Sequence, residues 1–328
     1  MAGIFLRNSF KLPALETIGF HSRFLSQFST GEDVKKVVVI GGGAMGSGIA
    51  TIAATNDFNV VVVDQEDEYI QKCMVMVRRT LDRITKSKFP SEPRSAKKFV
   101  EDTLSNISAS YSLSDAVKDA DLVIEAIHEN LESKVELFKT IDTLSPSHTV
   151  FVSNTTSLPI SKLAEATKRP DRVGGLHFNP ILQVDLVEVI RSPAMSEDTF
   201  KKIINFSKNI GKYPAVCKDT PGFIVNRLLI PMLLDAIRLL EQHVATLEDI
   251  DFAVREGAGM DLGPFQIADQ LGLDYVLQAA LRLNEQFPDE LYFKPPKLLS
   301  TMVSKGMLGW KSEHGFYNYR SKSRRSTR

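Results

Sequence analysis

Two cysteines in 328 residues, Cys73 and Cys217, leave little room for thiol chemistry. Neither belongs to a C-x-x-C pair. Both are read as reduced thiols of a reducing compartment, and no metal site is expected. Surplus charge is missing too: 40 Lys and Arg balance 40 Asp and Glu, and the pI is about 7.0. No whole-molecule field then points to nucleic acid or acidic lipid as the partner. Long apolar runs are absent. The longest, Leu228 to Leu234, is short and broken by Pro231, well under the ~20 residues of a membrane span. Internal repeats and low-complexity segments are absent as well.

What remains is an ordinary globular composition, 43% hydrophobic and 24% charged, with chain enough for two domains. The first thirty residues stand apart. They carry Arg7, Lys11 and Arg23 against one acid, Glu16, and are rich in Ser and Phe. Their apolar stretches are interrupted by charge. That composition fits a mitochondrial presequence and a matrix location rather than a secretory signal. The alternative is a tail without function. The C-terminal "SKSRRSTR", 321–328, reads as a solvated basic tail and does not end in Ser-Lys-Leu.

Regular patterning begins after Gly31. Val37 to Ile40 is a short continuous apolar run, as expected of a strand buried on both faces. Gly46 to Thr55 reads as a helix of small residues, and Val60 to Val63 as a second strand ending in Asp64. Strand, glycine turn, helix and strand make a βαβ unit. A long helix from Glu66 to about Thr85, the basic turn "KSKFPSEPRSAKK" and a second helix are expected to form a hairpin projecting from the sheet. Further strands are predicted at Leu122 to Ile127, Thr149 to Ser153, Val173 to Phe178, Leu186 to Ile190 and Pro214 to Lys218, with a helix over Ser196 to Ile210. From Phe223 onward the pattern is helical. The Pro and Gly of "KDTPG", residues 218–222, mark the boundary. The fold class is therefore α/β: a Rossmann-type doubly wound sheet over 31–218 and an all-helical domain over 219–320.

Gly41, Gly43 and Gly46 fit G-x-G-x-x-G. The first glycine permits the tight turn, the second lets backbone approach a pyrophosphate, and the third lets helix pack on strand. Ala44 and Met45 lie in the turn just before the helix, whose free N–H groups and positive dipole end favour phosphate. Asp64 lies 18 residues after Gly46, at the end of the next strand. An acid there accepts from the ribose 2′-OH and repels a 2′-phosphate, so the cofactor is read as NAD rather than NADP. A glycine-rich turn with no nucleotide is the competing reading.

"GGLHFNP" places His177 near a strand end, and "LVEVI" places Glu188 inside another strand. A glutamate among apolar residues is costly to bury without a partner, and a histidine eleven residues away across a hairpin is the nearest candidate. A neutral imidazole takes a proton from an alcohol as hydride leaves its carbon, with a carboxylate behind it to fix the tautomer. From the spacing alone, an exposed edge glutamate and a satisfied strand histidine are the plainer reading.

The ordered set "GGGAMGSGIA", "VVVVDQ", "ADLVIEAIHENLESK", "VSNTTSL", "GGLHFNP", "LVEVI", "KDTPGFIVNRLL" and "HGFYNY", over roughly 34–320, resembles the L-3-hydroxyacyl-CoA dehydrogenases of fatty-acid β-oxidation. The resemblance implies a Rossmann-type domain, a helical domain that makes a homodimer, and NAD-dependent oxidation of a 3-hydroxyacyl-CoA to the 3-ketoacyl-CoA. Carried over residue by residue, it implies His177 as general base and Glu188 as its partner. Asn226 would hold the substrate oxygen or the histidine region; otherwise it is a polar residue at a helix start with a local bond. Thr156 stands where the family has serine. It would bond the 3-oxygen, or simply cap the helix that begins near Leu158. Glu129, Lys134 and Asn154 would line the nicotinamide half of the site, and Lys311 would reach toward the cofactor. Each has a surface or turn role as its alternative.

The basic hairpin suits the 3′-phosphate of CoA, with Lys86, Lys88 and Arg94 as candidates beside Lys97 and Lys98. The family's lysine positions fall here at Ser87 and Arg94. A solvated basic face is the plainer reading.

One departure bears on catalysis. The family reads His-Phe-Phe-Asn-Pro and this chain reads His177-Phe178-Asn179-Pro180, one residue shorter. A one-residue slip in a strand turns side chains to the opposite face, so the base and its glutamate are parted unless the following turn absorbs it. A dehydrogenase of free hydroxy acids, such as the gulonate dehydrogenases, and a noncatalytic nucleotide-binding relative remain the competing functions.

Overall fold

A computed structural model describes residues 34–179 and 184–320; the expected presequence at 1–30 and basic tail at 321–328 lie outside them. In chain order the first part runs β1 (Lys36–Ile40), α1 (Ala44–Ala54), β2 (Asn59–Val63), α2 (Asp67–Lys88), α3 (Pro93–Ser105), β3 (Ile107–Ser110), α4 (Leu113–Val117) and β4 (Leu122–Glu125). It continues with α5 (Leu131–Leu144), β5 (Val150–Ser153), α6 (Ile160–Glu165), β6 (Val173–Phe178), β7 (Leu186–Arg191), α7 (Glu197–Asn209) and β8 (Tyr213–Lys218). The helices α8 (Val225–Glu241), α9 (Leu247–Ala258), α10 (Pro264–Leu271), α11 (Leu273–Gln286) and α12 (Lys297–Ser304) follow.

The eight strands form one sheet in the order β3-β2-β1-β4-β5-β6-β7-β8. All neighbours are parallel except β6 and β7, which are antiparallel. The strand order reverses between β1 and β4, and the crevice outside their C-terminal ends is where such sheets bind ligands. Alternate residues sort to opposite faces. Val37 and Val39 join the core beneath α1 and α2, whereas Val38 and Ile40 join the core beneath α5 and α6. Burial on both faces explains the unbroken apolar runs of these strands.

The structure departs from the sequence expectation in three places. Strand β3, "ISAS", is a four-residue edge whose polar alternation gave no strand signal. Helix α1 starts at Ala44, two residues before the expected Gly46. Strand β4 stops at Glu125, because Ala126 lies against the glycine turn: a Cβ on Gly41 would come 2.6 Å from the Ala126 carbonyl oxygen. Helix α8 runs through Pro231, within the stretch expected to be helical. The basic hairpin forms as expected, although α2 also buries Ile70, Cys73, Val77 and Leu81 on the sheet side, so only its far end projects.

The helical part has its own core, built on Ile230, Leu233, Ile237, Phe265, Val276 and Leu283. Its C-terminal strap is tied down by Asp269, which is fully buried. That carboxylate accepts the amides of Phe316 and Tyr317 and the hydroxyl of Tyr319, each at 2.9 Å. Much of "HGFYNY" is thus occupied in closing the helical core.

Candidate active site

The glycine turn has the shape of a phosphate cradle. Gly41 has φ +105, a conformation that favours glycine, and its amide donates to the Val63 carbonyl at 2.9 Å. A Cβ on Gly46 would fall 1.8 Å from the Gly41 carbonyl oxygen, so this turn closes only around glycine. Gly43 faces open space, with nothing within 4 Å of where its Cβ would stand. It is the N-cap of α1 and offers no side-chain cap, which leaves the first amides, including those of Ala44 and Met45, for an anion. Asp64 follows β2 directly. Its Oδ2 accepts the Gly42 amide at 2.7 Å and its Oδ1 accepts the Gln65 amide at 2.8 Å, which fixes the carboxylate beside the turn. Both cysteines are free. Burial, helped by the Asp64 charge, pushes the Cys73 thiol up to about 11, and burial with the Glu188 and Asp219 charges pushes Cys217 up to about 12. Neither is a thiolate at neutral pH.

At the far end of the crevice, β6 and β7 pair with His177 directly opposite Glu188. Side chains opposite one another on an antiparallel pair share a face. His177 Nδ1 lies 2.6 Å from Glu188 Oε2, and both side chains are buried, at 3% and 0% exposure. The one-residue shortening of "HFNP" therefore does not part the pair. Residues 180–183, where the expected absorbing turn falls, lie outside the described residues. The second oxygen, Glu188 Oε1, accepts the amides of Ile224 (2.8 Å) and Val225 (3.0 Å) at the start of α8. Burial raises the pKa of Glu188, but the His177 contact and these two amides outweigh it and hold the carboxyl below its usual range. With Nδ1 committed to the carboxylate, Nε2 is the imidazole nitrogen left to face a substrate.

Between cradle and histidine lies a network of charges that begins at the end of β4. Glu125 and Lys134 are both buried, with Nζ 2.5 Å from Oε1. The second oxygen of Glu125 accepts the Ser153 hydroxyl at 2.5 Å. Lys134 reaches on to Glu129 Oε2 at 3.3 Å. The other oxygen of Glu129 accepts the hydroxyls of Thr155 (2.6 Å) and Thr156 (3.0 Å) and the Thr156 amide (3.0 Å). Burial pushes the Glu129 pKa up, yet Lys134, the Thr155 hydroxyl, the Thr156 amide and Arg282 together bring it below the ordinary value.

Each residue singled out from the sequence now has a place. Lys134 is locked between two carboxylates inside the protein rather than standing free at a ligand surface. Asn154 Oδ1 accepts the Phe178 amide at 2.9 Å, which ties the end of β5 to the histidine strand. Thr156 does not cap the following helix: Thr155 Oγ1 accepts the Leu158 amide (2.9 Å), and Asp219 accepts the first amides of α6, from Ile160 (2.9 Å) and Ser161 (2.7 Å). Asn226 is buried in the first turn of α8 and its bonds are not local. Its Nδ2 donates to the Thr156 carbonyl at 3.4 Å and lies 3.0 Å from the Tyr275 hydroxyl. Lys311 is held by Asp274 at the start of α11, not by any group of the glycine turn. On the hairpin, Lys86 and Arg94 are exposed, and the Lys88 ammonium sits 4.7 Å from the Phe99 ring centroid.

Sequence reasoning missed Glu125, Tyr275 and Arg282. Glu125 had a usable signal: like Glu188, it is an acid inside an apolar strand, "LVIEAI". Tyr275 and Arg282 are two turns apart on one face of α11 and carry no motif.

Family models agree with this layout. The NAD binding domain of 3-hydroxyacyl-CoA dehydrogenase matches residues 36–220, and the C-terminal domain of the same family matches 222–319. A mitochondrial hydroxyacyl-coenzyme A dehydrogenase of Rattus norvegicus is 46% identical over 288 residues, which cover 88% of this chain and 92% of the relative. A probable 3-hydroxybutyryl-CoA dehydrogenase of Bacillus subtilis is 39% identical over 89% of this chain and 99% of its own length. The crystal structure of the (S)-3-hydroxybutyryl-CoA dehydrogenase of Ralstonia eutropha superposes with a TM-score of 0.80 at 38% identity, covering 88% of this chain and 99% of that one. The chain belongs to the 3-hydroxyacyl-CoA dehydrogenase family, the NAD-dependent oxidoreductases of fatty-acid β-oxidation.

Proposed function

We propose that this chain oxidises the 3-hydroxyl of an L-3-hydroxyacyl-CoA, with His177 as the general base. The observation that carries the assignment is the buried His177–Glu188 pair with its second imidazole nitrogen free, at the C-terminal end of the sheet that bears the glycine cradle. NAD, when bound, takes up the hydride released from C3. The open backbone at Gly43, the uncapped start of α1 and the oriented Asp64 fit its pyrophosphate and adenosine ribose.

This chain's residues do the rest. His177 Nε2 accepts the proton of the 3-hydroxyl as the carbonyl forms, and Glu188 stabilises the resulting imidazolium. Thr156 Oγ1 donates to Glu129 here; rotated about its Cβ–Oγ bond, the same proton reaches the 3-oxygen, whose own single proton goes to His177. Asn226, in the first turn of α8, donates to the Thr156 carbonyl and so fixes the helix start beside that loop. Glu129 and Asn154 set the walls of the nicotinamide half, with Lys134 acting through Glu129. The exposed Lys86 and Arg94 suit the CoA 3′-phosphate, while Lys88, drawn onto Phe99, suits it less.

We assign 31–218 to cofactor binding and 219–320 to substrate closure and dimerisation. Exposed Leu228, Phe252, Leu281 and Leu291 on the helical part support a homodimer. The relatives' mitochondrial location and the composition of 1–30 support import into the matrix. The directly opposed pair in β6 and β7 removes the argument for a noncatalytic relative that rested on the short "HFNP".

The test follows NADH absorbance with residues 31–328. Acetoacetyl-CoA, longer 3-ketoacyl-CoA esters and free 3-keto acids are compared, beside His177→Ala. Turnover of the thioesters that falls at least a thousandfold in the variant is expected. Turnover of free acids alone, or a variant as active as the parent, overturns the proposal.

A further inference from the structure

The charges between the cradle and the histidine alternate in sign and end on the helical part. Glu125, Lys134 and Glu129 come from the sheet side. Arg282 comes from α11 and places Nη1 3.5 Å from Glu129 Oε1. Its Nη2 also donates to the Glu129 backbone carbonyl at 3.2 Å, and its Nη1 donates to the Ser157 hydroxyl at 3.3 Å. Two carboxylates face two cations, so the formal sum of the row is zero. Only three of the four belong to the cofactor-binding part; without Arg282 the row carries one net negative charge.

The position of this row gives its charge a consequence. On the reading proposed above, on which this inference rests, the cofactor crosses the strand ends from β2 over β1 to β4 and β5. Glu129 follows β4, and the loop it holds follows β5. The nicotinamide ring is cationic in NAD+ and neutral in NADH, so a net charge at this place acts on one redox form and not on the other.

We infer that Arg282 is a charge-balancing and positioning residue of the cofactor site: docked from the helical part, it neutralises the Glu125–Lys134–Glu129 row and so sets the relative affinity for oxidised and reduced nicotinamide. Its half-buried guanidinium, 31% exposed, is sheltered enough for its charge to be only partly screened. Removing it leaves Glu129 facing the ring with Lys134 alone, and the cationic form gains.

The experiment measures dissociation constants for NAD+ and NADH by calorimetry, without substrate, on the full chain and on Arg282→Met, Arg282→Lys and Asp64→Ala. The ratio Kd(NAD+)/Kd(NADH) is expected to fall about three- to tenfold in Arg282→Met, the effect of one partly screened charge. Arg282→Lys keeps the charge and is expected to stay within about twofold of the parent. A Met variant whose two constants change by one common factor, or a Lys variant that shifts as far as Met, overturns the inference. Asp64→Ala separates the two levels: weakened binding of both forms keeps the cofactor site where it is placed. Unchanged binding removes that site, and this inference with it.

Discussion

Glu188 joins two parts of the molecule through one carboxylate: Oε2 meets His177 at 2.6 Å while Oε1 accepts the Val225 amide at 3.0 Å at the start of α8. The residue that orients the base is therefore itself oriented by the helical part. Glu188→Gln keeps a carbonyl oxygen for the amides and an approximate shape. It loses the charge that stabilises an imidazolium. A fall in kcat of about a hundred- to ten-thousand-fold is expected, with little change in Kd for NADH. Steady-state kinetics and a binding titration on the same preparation check it. A kcat within threefold of the parent would mean that Glu188 serves the fold alone.

Asp64 accepts the Gly42 amide and the adjacent Gln65 amide, so its carboxylate is aimed before any ligand arrives. An acid at this place favours a ribose diol over a 2′-phosphate by charge as well as by hydrogen bonding. Asp64→Ser is expected to weaken NADH binding about tenfold and to narrow the preference for NADH over NADPH by a larger factor. Fluorescence titration with both nucleotides reads the two numbers, and an unchanged preference contradicts the assignment.

The sheet was legible where one residue type dominates. Val37 to Ile40 and Val60 to Val63 are apolar on both faces and could hardly be anything else, whereas "ISAS" at the sheet edge has too little apolar surface to announce itself. The glycine turn was legible because Gly41 and Gly46 are sterically required. The register of His177 against Glu188 was not, since it depends on a turn outside both strands. Long-range partners were hidden for a different reason. Arg282 lies 153 residues from Glu129 and Tyr275 lies 49 from Asn226, and no local periodicity links them. Lys134 shows the same limit in reverse: a family position identified it, while its burial between Glu125 and Glu129 is visible only in three dimensions.

That burial makes Lys134 a test of stability. Its side chain is 1% exposed and its partner Glu125 is 0% exposed. Replacing one member of such a pair leaves a carboxylate buried without compensation, which costs about 3–5 kcal/mol. Lys134→Met is expected to lose that much in urea unfolding followed by circular dichroism. The double variant Lys134→Met with Glu125→Leu removes both charges and is expected to recover part of the loss. A single variant as stable as the parent would show that the Glu125–Lys134 pair adds nothing to stability.

Acid sensitivity has a sign fixed by three carboxyls. Glu129 and Glu188 are both held below the ordinary glutamate range despite burial, Glu129 chiefly by Lys134 and Glu188 chiefly by His177. Near pH 4.5 the folded chain therefore binds fewer protons at these sites than the unfolded chain does. Their contribution to stability is complete above the usual carboxylate range and is lost as pH falls through their folded values. Asp269 acts in the other direction: burial raises its pKa, so its share is present at low pH and fades as pH rises through its folded value. Two against one, the folded state is expected to lose stability from about pH 5 downward. Glu129→Gln should flatten that slope, and Asp269→Asn should steepen it, because the Asn variant no longer offsets the two glutamates. Urea midpoints measured at half-unit intervals from pH 3.5 to 7 read both effects. A Glu129→Gln curve parallel to the parent's across that range would show that the carboxylate gains nothing from Lys134 on folding.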